Sequence, residues 1–202
     1  MTLESKYLKH IHSFNKSAPI DVRDRQTTLR KRYHTESKAA WVIDHARTSD
    51  VEVSANHPIH AHVNCGEGIP IDVPVSVHKA VGGESDFPCP GEILSASLAS
   101  CLDTAIRMIA NLKGIRLAQL EVHVSFGADV RGTLMMGDDV PVGFQSANLE
   151  IKLKSESDLP ETHLNALLDA AERSCVILQT LRSPPEVKIK RTLEGKTISE
   201  LS

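Results

Sequence analysis

Two cysteines set the chemical question. Cys101 lies in PGEILSASLASCLDTAIRMIANLKG and Cys175 in LNALLDAAERSCVILQTL, 74 positions further on. Both segments have helical periodicity, and both cysteines fall on the apolar stripe of their segment. Sulfur in such a place has two uses. It fills space as a small hydrophobe, or it acts as a nucleophile, which requires the thiolate. Cys101 lies about ten residues beyond the start of its helix, too far for the dipole, which acts within the first turn. A reactive Cys101 therefore needs a cation from another segment or from a second subunit. Attack on a peroxide oxygen would leave a sulfenic acid, and a second thiol within reach would capture it as a disulfide before over-oxidation. Cys175 on a facing helix suits that purpose, and an apolar pocket favours organic hydroperoxides as substrates.

The elements that would position these thiols read as strands, long helix, strand pair, helix, strand. Pro90 opens the long helix near its first position and Gly114 stops it after Lys113. Ser95, Ala96, Ser97, Ala99 and Ser100 are small enough to let another backbone approach, and a helix so apolar is normally covered on most sides. LEVHVSF and GFQSANLEIKLKS alternate with period two, as antiparallel strands with one wet face do, and are expected to pair with MMGDD near the tip. The second helix is expected to begin near Asp158 and Pro160, with Leu164, Leu167, Leu168, Ala171 and Cys175 on one stripe. EVKIKRTL reads as a final strand. Earlier, TLRKRYH reads weakly as a strand through Leu29 and Tyr33, AAWVIDHA better, and VPVSVHKAV cleanly, with Pro74 restricting the last to an edge or strand start. The fold class is α+β, with helices on one face of antiparallel sheet.

Composition narrows the field. The chain has 202 residues, 41% hydrophobic and 24% charged, with a net charge of −3. Those values fit a folded globular domain rather than a disordered chain. With one Trp, two Tyr and four Phe there is no aromatic platform for stacking bases. The cluster Arg23, Arg25, Arg30, Lys31 and Arg32 is offset by Asp21 and Asp24, so no nucleic acid partner is expected. No apolar leader segment opens the chain and no uninterrupted apolar run of membrane length occurs, so a cytoplasmic protein with no membrane association and reduced cysteines is expected. Residues 1–26 read as an N-terminal extension and 27–202 as the domain.

The cysteine helix PGEILSASLASCLDTAIRMIANLKG resembles the central helix of the OsmC/Ohr hydroperoxide-reductase superfamily. LEVHVSF, VGFQSANLEIKLK, LNALLDAAERSCVILQTL and EVKIKRT follow in that family's order, so the likeness spans roughly residues 70–192. The resemblance implies an intertwined homodimer with sheets wrapped around two central helices. It implies a thiol site at the subunit interface, with Cys101 at the peroxidatic position and Cys175 at the resolving one. It also implies a small-molecule hydroperoxide as substrate, a lipoyl-type or other dithiol as reductant, and no metal or organic cofactor. Active members carry glutamate directly after the proline, paired with arginine from an earlier strand. Here Gly91 follows Pro90 and the carboxylate comes one place later, at Glu92, which is either a displaced catalytic acid or a first-turn acid favoured by the dipole. For the cation, Arg47, His78 and Lys79 are candidates. These departures leave two functions open. One is a thiol peroxidase using Cys101, Cys175 and Glu92. The other is a non-enzymatic small-molecule-binding protein or thiol redox sensor on the same fold.

His57, His60, His62 and Cys65 sit within nine residues and carry the ligand types that zinc prefers. In an extended segment, however, His60 and His62 share a face while His57 and Cys65 point elsewhere, so an exposed histidine-rich strand is the expectation. Cys89, between two prolines at the helix mouth, is a third thiol. Walker, Rossmann, nucleophile-elbow and zinc-protease motifs do not occur.

Overall fold

The computed structural model describes residues 20–66, 71–193 and 196–201. Residues 1–19 of the expected extension lie outside the described residues. The chain divides into two compact units, Met1–Val42 and Ile43–Ser202.

In the first unit, helix α1 runs from Val22 to Thr35 and a 3-10 turn from Ser37 to Ala40. The strand expected at TLRKRYH is thus helical. Asp21 caps the helix, its carboxylate accepting from the Arg23 N–H at 2.8 Å and the Asp24 N–H at 3.4 Å. Arg30 donates to Gln26 at 3.2 Å and Arg32 pairs with Glu36 at 3.4 Å, both one helical turn apart. Leu29 and Tyr33 are themselves four apart, which is helical spacing. None of the α1 side chains is buried.

The second unit carries three antiparallel sheets. Strands β1 (Ala46–Thr48), β2 (His60–Cys65) and β3 (Ile71–Ser76) form the first, in that order. The strand expected across AAWVIDHA does not form: Ala39 and Ala40 belong to the 3-10 turn, residues 41–45 have no regular structure, and only Ala46 falls in β1. Pro74 lies in β3, at the sheet's edge, where a missing N–H costs no ladder bond. β3 stops at Ser76, one residue short of the Val77 that alternation includes, because the chain turns into a 3-10 segment at Lys79–Val81.

Helix α2 spans Pro90–Lys113, with proline in its first turn and Gly114 in the left-handed region at φ 68°. The Ile115 N–H returns to the Ala110 carbonyl at 2.8 Å, closing the helix end. Strands β4 (Leu117–Gly127) and β5 (Ser146–Ser155) pair antiparallel along their length, with a short helical turn α3 (Val130–Thr133) in the connection. Helices α4 (Glu161–Ser174) and α5 (Val176–Arg182) follow, and β6 (Ile189–Leu193) pairs with β7 (Lys196–Leu201).

The core is a strip of helix against helix and hairpin. Leu98, Leu102, Ile106 and Ala110 recur every four residues on α2 and are buried against Leu167, Ala171, Cys175 and Leu178. Leu120, Val122, Val124 and Phe126 of β4, with Ile151 and Leu153 of β5, close the other side. Fully burying one such leucine contributes about 1.5–3 kcal/mol. Only that one stripe of α2 is buried; Ile93, Leu94, Ile109 and Leu112 are half-covered and Met108 is exposed.

Candidate functional site

The two helix thiols meet. Cys101 belongs to α2, one residue before the buried Leu102, and is partly exposed at the rim of the stripe. Cys175 is fully buried, with none of its surface accessible. Cys101 packs against the core cluster that holds it, the two side chains interact, and both thiols are free. The two residues that sequence separates by 74 positions are thus brought together, because α2 packs against both α4 and α5.

Cys175 differs from expectation in one respect. Periodicity carries LNALLDAAERSCVILQTL through as one helix, whereas the chain breaks at Cys175, which is extended (φ −76°, ψ 103°) and flanks both α4 and α5. The break is held by Glu172: the Gln179 side-chain amide donates to its carbonyl at 2.7 Å, and Arg182 pairs with its carboxylate at 3.1 Å. Burial pushes the Cys175 thiol above its ordinary value. The Leu178 N–H opposes that shift, whereas the neighbouring Cys101 side chain reinforces it. Cys175 therefore remains the protonated partner, a donor to whatever charge Cys101 carries.

Glu92 lies elsewhere in the helix. Its carboxylate accepts the Cys89 backbone N–H at 2.8 Å, closing the first turn. That bond, with lesser help from the Cys89 side chain and the nearby His78 charge, holds its carboxyl below the usual glutamate range. Nine residues separate Glu92 from Cys101, which on a helix is about 13.5 Å of rise and about half a revolution. Within one chain the carboxylate and the thiol are far apart. At Gly91, where active relatives have glutamate, a side chain would begin 3.0 Å from the ring of Phe144, tighter than an ordinary contact. Phe144 stacks on Phe126 with ring centroids 5.0 Å apart, so an aromatic pair stands against the helix mouth. No local motif marks Phe144 as a neighbour of position 91, since 53 residues and the β4–β5 hairpin intervene.

None of the three candidate cations is hydrogen-bonded or ion-paired to Cys101 among the described residues. Arg47 stands exposed in β1 opposite Asn64. His78 caps the 3-10 turn through the Ala80 N–H at 3.1 Å, and the Lys79 N–H donates to the Ser85 hydroxyl at 2.8 Å. Nor do His57, His60, His62 and Cys65 gather as a set. Cys65 donates to the Ile71 carbonyl at 3.7 Å, whereas His60 turns to the loop before α2, its Nε2 lying 3.0 Å from Asp86. Strand alternation separates Cys65 from the even-numbered histidines of β2.

The comparisons with known proteins agree on one family. A family model described as OsmC-like protein matches residues 82–190, more than half of the chain. Among curated proteins, none matches. Solved structures share the fold at low identity. An organic hydroperoxide resistance protein OsmC from Legionella pneumophila is 19% identical, with a TM-score of 0.52, over 70% of this chain and 90% of that one. An OsmC-like protein from Mycoplasma pneumoniae is 17% identical, with a TM-score of 0.53, over 71% and 89%. A putative osmotic stress induced and detoxification response protein from Psychrobacter arcticus is 14% identical, with a TM-score of 0.51, over 69% and 89%. The matched span holds α2, the β4–β5 hairpin, α4 and α5, and with them both of the paired thiols. The chain belongs to the OsmC-like protein family.

Proposed function

We propose that the protein is a thiol peroxidase that reduces organic hydroperoxides with Cys101 and Cys175. The observation that carries this reading is a partly exposed thiol packed on the cluster that holds a fully buried one, the two side chains interacting. Exposure fixes the order of events. The Cys101 thiolate attacks the outer peroxide oxygen, the O–O bond breaks, and the alkoxide takes up a proton to leave as alcohol. Cys175 then attacks the Cys101 sulfenic acid. A sulfur–sulfur bond forms, the S–OH bond breaks, and hydroxide departs as water after gaining a proton. A small dithiol restores both thiols by attacking the Cys101 sulfur, the accessible one, and leaves as its own cyclic disulfide. Family membership and neighbours described as hydroperoxide resistance proteins support a peroxide or redox role.

The active form we propose is a homodimer. The half-covered apolar side of α2, with Met108 42% exposed, is what a second copy would shield, and that copy is also the source of a cation that no described residue pairs with Cys101. Cumene hydroperoxide consumption with dithiothreitol tests the enzymatic reading against a Cys101→Ser variant. Equal rates for the two proteins overturn it.

A second reading has its own observation. Glu92 is committed to the helix cap, and a side chain at position 91 would crowd the Phe144 ring. A site so altered fits a thiol redox sensor, oxidised once and turned over slowly. Fast single oxidation with negligible steady-state peroxide loss identifies that case.

A further inference from the structure

We propose that His60, Glu84 and Asp86 form a binding site for a divalent transition-metal cation. Their ligand atoms, one imidazole nitrogen and two carboxylate oxygens, all lie within 4.8 Å of one another. The His60 Nε2 is 3.0 Å from Asp86 Oδ1 and 3.2 Å from Oδ2. Two ligands at right angles, each about 2.1 Å from a metal, stand about 3.0 Å apart, so this pair already has the required spacing. Glu84 closes the triangle by a rotation of its exposed side chain.

The surroundings hold these groups in place. The imidazole is 19% exposed and is wedged between two rings, His57 at a centroid distance of 4.8 Å and Phe87, edge-on, at 6.1 Å. His57 is itself fixed, its Nδ1 accepting the His60 N–H at 3.2 Å, which leaves it as support rather than ligand. The loop that carries Asp86 is docked on the end of β3, where the Ser76 N–H donates to the Pro88 carbonyl at 3.3 Å.

The donor set defines the class of ion. One imidazole with two carboxylates and no sulfur suits Mn²⁺, Fe²⁺, Co²⁺, Ni²⁺ or Zn²⁺ over Mg²⁺, Ca²⁺ or Cu⁺. A cleft of about 600 Å³, lined by Val73, Phe87, Ile93 and Ala96 beside Asp86, gives the remaining coordination positions access to water or to a small ligand. The ion would tie β2 to the loop that enters α2, and nothing in the sulfur cycle requires it.

Manganese is the probe of choice, since the four thiols compete weakly for it. Tag-free full-length protein is titrated with Mn²⁺ by electron paramagnetic resonance, with thermal unfolding measured in parallel. The expected result is about one Mn²⁺ per chain and a rise in Tm as occupancy grows. His60→Ala and Asp86→Asn should each weaken binding at least tenfold and abolish the rise. Glu84→Gln, at an exposed position, should weaken binding with an unchanged circular dichroism spectrum, so loss of the site stays distinguishable from loss of the fold. No saturation by millimolar Mn²⁺, or equal affinity in wild type and His60→Ala, overturns the site and leaves an ordinary ion pair. Equal affinity in Glu84→Gln overturns the three-ligand set.

Discussion

Replacing Gly83 by alanine should dislodge the loop that delivers the chain into α2. A Cβ at position 83 would lie 1.8 Å from the Val77 carbonyl oxygen and 2.3 Å from its carbon. Cβ contacts under 3.0 Å are essentially never seen, so the loop must retreat by at least 1.2 Å. The obstacle is backbone at the end of β3 and cannot swing aside as a side-chain tip would. Retreat strains the bonds that dock the loop: the Gly83 N–H to the His78 carbonyl at 3.1 Å, the Ser85 N–H to the Val77 carbonyl at 3.4 Å, and the Lys79 N–H to the Ser85 hydroxyl at 2.8 Å. At about 0.5–1.5 kcal/mol each, losing all three costs about 1.5–4.5 kcal/mol. Urea unfolding followed by circular dichroism reads that loss as a lower midpoint at constant slope. A loss below about 0.5 kcal/mol, the range of an indifferent surface substitution, would refute the close approach of loop and strand.

Other outcomes follow from the same geometry. One equivalent of cumene hydroperoxide should remove two titratable thiols per chain in wild type and none in Cys101→Ser, while Cys175→Ser should stop at a dimedone-reactive sulfenic acid; mass spectrometry counts the labels. Ile106→Ala, at a fully buried position of α2, should cost about 2–5 kcal/mol in urea unfolding. Folding raises the Cys175 pKa above its free value of 9.0. The native state therefore binds more protons than the unfolded one above that pH, and stability should fall as pH rises through the alkaline range. Cys175→Ala should flatten that fall, measured as Tm against pH. Gly91→Glu alone should meet the Phe144 ring, and pairing it with Phe144→Ala should relieve the clash, seen as recovery of Tm in the double variant.

How much of this was legible in sequence depended on how local each signal was. The ends of α2 were, because an early proline and a terminal glycine act on their own backbone. The β4–β5 pair was legible because one wet face imposes strict alternation. Helix α1 was misread as strand, since two apolar residues four apart satisfy both periods until the Asp21 cap and the one-turn polar pairs are weighed. The break at Cys175 leaves no mark in hydropathy, because the apolar stripe continues across it. The Phe144 contact and the turn of His60 toward Asp86 are long-range meetings that no spacing rule reports. The candidate thiols were found from residue type and helix face, and their mutual contact came only with the packing of α2 on α4 and α5.

The interruption between α4 and α5 has a mechanical meaning. Joining two free, neighbouring thiols by a covalent bond of about 2.05 Å draws the sulfurs closer together. In a continuous helix that displacement would strain every turn on either side. A joint at the moving atom confines it to the torsions of one residue, with the Glu172 clasp keeping the two rods aligned while the sulfur travels.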